Sequence, residues 1–187
     1  MPTAFLAFVG QGFRPAAGLL PGLCLTFLCL TALLAAQTRE HAETNITFDL
    51  PAPPATALPL FGPVRESEWS PQWNPAILFP ADQRQVAGAV FTTKQQDAEM
   101  VWMLITYDQA ALRVEYVIVW PGMCATRLDI SLKPSGPNAS QASVTYRRTA
   151  LSEAGDKYVK DFAARFPSQR DHWQQAISTR LHEMEKK

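Results

Sequence analysis

Residues 100–120, MVWMLITYDQAALRVEYVIVW, decide how the chain is read. Two runs rich in β-branched and aromatic side chains flank Asp108-Gln109-Ala110-Ala111, so Met100–Tyr107 and Arg113–Trp120 are expected to be antiparallel strands joined by a short turn. Pairing Tyr107 with Arg113, and Thr106 with Val114, puts Trp102, Leu104, Thr106, Val114, Tyr116, Ile118 and Trp120 on one face. The opposite face then holds Val101, Met103, Ile105, Tyr107, Arg113, Glu115, Val117 and Val119. Burying Arg113 and Glu115 without full compensation is costly, so the first face is expected to point inward. The outer face is left unusually apolar and reads as a homodimer or membrane-facing surface, with a register slipped by one residue as the competing explanation.

Further strands surround this hairpin. Thr44–Leu50 alternates, with Ile46, Phe48 and Leu50 on one side, and Ala76–Phe79 begins a second strand. Val86–Thr93, Ala125–Lys133 and Ser140–Thr149 read as strands, with a turn at Pro134-Ser135-Gly136-Pro137-Asn138. Short connections imply an antiparallel meander. From residue 51 to 80, Pro51, Pro53, Pro54, Pro59, Pro63, Pro71, Pro75 and Pro80 rule out a long helix and leave room for helical turns at Ala55–Phe61 and Val64–Trp69. From Ser152 to Lys187, Tyr158, Phe162, Phe166, Trp173, Ile177, Leu181 and Met184 recur at helical spacing. Ser152 is the expected N-cap, and Pro167 should kink or divide the helix. A bent antiparallel sheet wrapped around this helix leaves a cavity between sheet, helix and proline-rich segment.

The 187 residues carry 17 Lys+Arg and 17 Asp+Glu, and hydrophobic residues make up 47%. One globular domain fits that length, and the zero net charge argues against a nucleic-acid partner. The 18 residues Leu19–Ala36 carry no charge and follow Arg14, as in an export signal or a single N-terminal anchor. Residues 1–36 are therefore expected to be a signal peptide or a hydrophobic membrane-anchor helix, 37–43 a linker, and 44–187 the folded domain, exported or membrane-anchored on the extracytoplasmic side. Without residues 1–36 the chain keeps a single cysteine, Cys124, expected to be buried and inert or to form an intermolecular bridge. Asn45-Ile46-Thr47 and Asn138-Ala139-Ser140 match the glycosylation acceptor pattern.

The stretches GPVRESEWSPQWNP (62–75), GAVFTT (88–93) and TALSEAG (149–155) resemble the SRPBCC superfamily, the START-like proteins of helix-grip fold. The superfamily includes START lipid-transfer domains, polyketide cyclases and plant pathogenesis-related allergens. The resemblance covers residues about 44–187 and implies an α+β domain of order β-α-α-β₆-α with a deep ligand cavity. Its members share no catalytic set.

Candidate ligand-binding residues are Glu66, Trp69 and Trp73 near the cavity mouth, Trp102 and Tyr116 on the inward face of the hairpin, and Tyr146 and Arg148 on the last strand. Rings can line a pocket with an apolar face and a polar tip, or form ordinary core. Arg148 points inward if Val144 does, where it could meet an anionic headgroup or pair with Glu66; a place at the rim or in solvent is the plainer reading. Glu66 beside indoles has the setting for a raised pKa and acid–base work, or for a structural hydrogen-bond acceptor. His172 and His182 lack metal-ligand partners at suitable spacing, and no phosphate loop or nucleophile elbow is present, so no catalytic residue, metal or cofactor is assigned. Three readings follow: a carrier of a small hydrophobic or lipid-like ligand, a cyclase- or dehydrase-type enzyme, and a non-catalytic scaffold contacting a membrane partner.

Overall fold

The computed structural model describes residues 38–95 and 98–186. Among them, β1 (His41–Leu50), β2 (Ala76–Phe79), β3 (Val90–Gln95), β4 (Ala98–Asp108), β5 (Arg113–Trp120), β6 (Cys124–Gly136) and β7 (Ala139–Ala150) form one curved antiparallel sheet of order β1-β7-β6-β5-β4-β3-β2. The meander from β2 to β7 is the predicted one, and β1 closes its free edge against β7. Helix α1 (Pro54–Ala57) and 3₁₀ turns at Leu58–Phe61 and Arg65–Glu68 occupy the proline-rich segment, where missing N–H donors keep every helical piece to four residues.

The C-terminal rod consists of α2 (Glu153–Arg165), a 3₁₀ turn at Phe166–Gln169 and α3 (Arg170–Glu185). Pro167 divides it as expected, through a tightened turn. Ser152 Oγ accepts from the Gly155 N–H at 3.0 Å, so the cap is the predicted one. A Cβ on Gly155 would collide with the Met123 carbonyl oxygen, which already accepts the Leu151 N–H at 2.8 Å. The missing side chain lets α2 start flush against the β5–β6 turn. Helix α2 lies over β1 and β7 and α3 over β1, and Val159, Phe166, Ile177 and Leu181 of the rod are buried.

Several boundaries differ from the sequence reading. Strand β1 begins at His41, inside the expected linker, because it pairs with β7 along its full length and Arg147 bonds Glu43 at 3.0 Å. Polar residues on the solvent face hide such a strand from a hydrophobic pattern. Strand β3 starts at Val90 rather than Val86, since Gly88 adopts a φ of 88° in the preceding turn. Strand β6 runs on through Pro134 to Gly136 past a register irregularity, which leaves Pro137-Asn138 as the tip.

The hairpin register holds where Trp102 faces Ile118 and Leu104 faces Tyr116, but shifts by one residue beyond a bulge at Ile105, so that Thr106 faces Glu115 and Tyr107 faces Val114. Two corrections follow. Thr106 lies on the outer face, where its hydroxyl bonds Glu115, and Tyr107 packs against the core. Arg113 and Glu115 are on the outer face as expected, yet Glu115 is buried under Arg113 and Arg127 in a ladder that continues through Asp129 to Arg147 and Glu43. The rest of that face is apolar and solvent-exposed at Val101, Met103, Ile105, Val117 and Val119. The expected signal or anchor, residues 1–36, lies outside the described residues. Among the described residues no helix is long and apolar enough to cross a membrane.

Candidate functional site

The groove between sheet and rod is not filled along its whole length. A half-open cavity of about 950 Å³ lies between the β3–β4 hairpin, β7, α2 and the loop at Gln72–Ala76. That volume suits a ligand of drug or lipid-fragment size. The strand alternation that buries Val144 and Tyr146 brings Arg148 to the same side of β7. The helical spacing of Tyr158, Phe162 and Phe166 places three rings in one row above them.

Four of the seven candidate residues line this cavity: Trp73, Trp102, Tyr146 and Arg148. The indole N–H of Trp73 donates to the Pro63 carbonyl at 2.6 Å and that of Trp102 to Thr93 Oγ1 at 2.9 Å. Both rings are thus locked at their polar edge, and they meet edge to face at 5.2 Å. The other three candidates lie apart from the cavity lining. Trp69 is buried, donates to the Leu60 carbonyl at 2.7 Å and packs on Phe61 and Trp173. Tyr116 donates to the Phe61 carbonyl at 2.8 Å, which fastens the Leu58–Phe61 turn to β5. Both belong to the core.

Glu66 is the third. Its backbone carbonyl accepts the Trp69 and Ser70 N–H groups at 3.2 and 2.9 Å, but its carboxyl finds no hydrogen-bond donor among the described residues. Taken whole the residue is partly exposed, whereas its carboxyl is turned into the protein, close enough to Tyr116 and Tyr146 to raise the pKa of both phenols after burial itself. Loss of solvation pushes that carboxyl up to about 8. It forms no ion pair with Arg148; the pairing considered from sequence is absent.

Arg148 instead sits among rings. Its guanidinium carbon lies 3.4 Å from the Phe162 centroid, 4.9 Å from Tyr146 and 5.3 Å from Tyr158, and Nη1 donates to the Tyr158 hydroxyl at 2.6 Å. No carboxylate among the described residues pairs with it, and its Nε is buried without a hydrogen-bond partner. A buried donor on a charged group left unmet costs on the order of 1–3 kcal/mol. The Tyr146 hydroxyl likewise makes no hydrogen bond among the described residues.

The sequence reading did not assign Tyr158, Phe162, Phe166 or Arg165 to the site, although all four line the cavity. The helical stripe had already marked the three rings as facing the sheet; what was missing was the knowledge that the sheet retreats from them here. Cys124 is buried and burial raises its thiol pKa, as for an inert packing residue. Among the described residues no cluster of three or more His, Cys, Asp or Glu side chains is placed to hold a metal ion.

Neither a known protein family nor a curated protein matches the sequence. Solved structures do match the fold. Ara h 8.0201 aligns with a TM-score of 0.57 at 14% identity, over 76% of this chain and 99% of its own. Norcoclaurine synthase from Thalictrum flavum, in complex with dopamine and hydroxybenzaldehyde, aligns with a TM-score of 0.59 at 12% identity, over 78% and 89%. A START superfamily protein from Mycobacterium smegmatis aligns with a TM-score of 0.56 at 16% identity, over 76% and 98%. At these identities the likeness is one of architecture: the chain has the helix-grip fold of the START-like proteins.

Proposed function

We propose, on the premise of a START-like fold with a half-open aromatic cavity, that this chain binds or carries a small hydrophobic or lipid-like molecule. The observation that carries this reading is the cavity of about 950 Å³ walled by Trp73, Met100, Trp102, Tyr146, Phe162 and Phe166. A row of rings offers apolar contact without demanding one shape. A fold neighbour that holds dopamine and hydroxybenzaldehyde lends support, since small aromatic molecules fit the same architecture. The charge-free stretch Leu19–Ala36 supports work outside the cytoplasm, as an exported or anchored protein.

Two experiments test this. The neutral fluorescent probe N-phenyl-1-naphthylamine is expected to bind with a gain in emission and to be weakened at least about ten-fold by Trp102→Ala, equivalent to about 1.4 kcal/mol. Failure of the probe to bind, together with native mass spectra free of co-purified small molecules, would remove the carrier reading. Fractionation of the producing cell with N-terminal sequencing tests the location, for which a cytosolic chain with an intact leader is the contrary result.

A second reading, a cyclase- or dehydrase-type reaction, is favoured by one observation: the Glu66 carboxyl, raised to about 8 near Tyr116 and Tyr146. Glu66 lies outside the cavity lining, where Glu99 is the carboxyl among the described residues, so this reading needs a ligand that reaches deeper than the open space. Unchanged turnover in Glu66→Gln, once an activity is found, rules it out.

A further inference from the structure

Among the described residues, the charged side chains lining the cavity are Lys94, Glu99, Arg148 and Arg165. Lys94 and Glu99 stand opposite each other in the β3–β4 ladder, one cation facing one carboxylate. Arg165 sits at the exposed rim and donates from Nε to the Asp161 carbonyl at 3.1 Å. Arg148 is the inner cation. Phe162 covers its plane at 3.4 Å, Tyr158 takes Nη1 at 2.6 Å, and no carboxylate pairs with it among the described residues. Among the donors left over, Nε is buried and unpartnered and Nη2 makes no hydrogen bond among the described residues. These two N–H groups share one edge of the guanidinium, the edge whose parallel donors match two oxygens of a planar acid. Among the described residues Arg148 Nε is the one buried side-chain nitrogen without a hydrogen-bond partner.

We infer that the ligand is an apolar carboxylate, its acid group held by the Nε–Nη2 edge of Arg148 and its hydrocarbon or aromatic body laid along Tyr146, Phe162, Phe166, Trp73 and Trp102. This rests on the cavity reading above and narrows it. The aromatic walls lower the polarity around the ion pair, and an anion supplies the counter-charge that no described residue provides. A neutral lipid satisfies the walls and leaves the guanidinium unmet; an anion without an apolar body satisfies the guanidinium and leaves the walls wet.

The test compares three ten-carbon probes at pH 8, decanoate, decanol and decyl phosphate, each measured by calorimetry and by displacement of N-phenyl-1-naphthylamine from the full chain. Decanoate is expected to bind at least about ten-fold tighter than decanol, the least that a charge-assisted pair should give. In Arg148→Met the preference should vanish, the two binding within about three-fold of each other. Equal affinity of decanoate and decanol in the wild type overturns the anchor and leaves the hydrophobic cavity standing. Stronger binding of decyl phosphate than of decanoate overturns the assignment to a carboxylate. If none of the three binds and the neutral probe also fails, the cavity reading falls with the inference. The wild-type comparison decides the matter even if Arg148→Met does not fold.

Discussion

Two stretches of one groove differ in how they are occupied. Beside the Leu58–Phe61 turn, Phe61, Trp69, Leu104, Tyr116 and Leu181 are buried together in one core cluster. Beside α2, Trp73, Trp102, Tyr146, Phe162 and Phe166 are just as aromatic and enclose a hollow. Residue type does not separate them. The Leu58–Phe61 turn does. In the filled stretch the Trp69 and Tyr116 donors end on the carbonyls of Leu60 and Phe61, so a backbone turn plugs the groove. In the hollow stretch the indoles of Trp73 and Trp102 are held at Pro63 and Thr93 on its wall, while the Tyr146 hydroxyl and Arg148 Nε find no partner among the described residues. A core ring and a pocket ring can therefore look alike in composition and differ in whether a turn fills the space before them.

The contrast can be broken at several points. The largest effect is expected for Phe61→Ala in the filled stretch: a fully buried ring is lost, and denaturant unfolding should show a loss of about 3–5 kcal/mol. If Phe61→Ala is tolerated within about 1 kcal/mol, that stretch is not the rigid part.

Glu66 lies between the two stretches and gives a pH-dependent effect. Its carboxyl is raised from 4.5 to about 8 by burial, so the folded state holds a proton that the unfolded state releases. That contribution is fully present below pH 4.5 and is lost as pH rises through about 8. Glu66→Gln should match the wild type at pH 4 and exceed it by about 3 kcal/mol at pH 7, read from thermal or urea melts at both values. Identical pH profiles for the two proteins would mean that the carboxyl reaches water.

Phe162→Ala sharpens the comparison from the hollow side. Phe162 is only partly buried, so stability should fall by about 1 kcal/mol, while binding of an apolar probe should weaken by about ten-fold. A stability loss as large as that of Phe61→Ala would make both stretches core. The smallest effect belongs to the outer face: Val117→Thr should leave stability within about 0.5 kcal/mol, with no change in sedimentation if that face is free in solution.

Much of this was legible in the sequence where a periodic pattern met one buried face. The β5 alternation and the Ser152 cap needed no tertiary information, and β5 and β2 fall on their expected residues. The bulge at Ile105 left no sequence mark; β-branched and polar residues flank it as they flank the regular part, so Thr106 and Tyr107 were assigned to the wrong faces. For the site, inwardness of Trp102, Tyr116, Tyr146 and Arg148 could be read from alternation. Whether the space before each is empty or taken depends on where the Leu58–Phe61 turn and α2 come to rest, and no local pattern encodes that distance. Trp69 and Tyr116 were candidates for the pocket on the same grounds as Trp73 and Trp102; what tells them apart is that their donors end on the Leu58–Phe61 turn itself, whereas Trp73 and Trp102 are held at Pro63 and Thr93.

The pairing of β1 with β7 has a kinetic side. His41 meets Thr149 across a separation of 108 residues, and among the described strands β1 pairs with β7 alone. During synthesis β1 must wait for β7, since closing so long a loop costs entropy before any contact repays it. Until then its ladder edge is open to other chains, and the ordering of events during synthesis favours whatever keeps that edge solvated. The polar start of β1, His41 through Asn45, serves that interval as well as the finished fold.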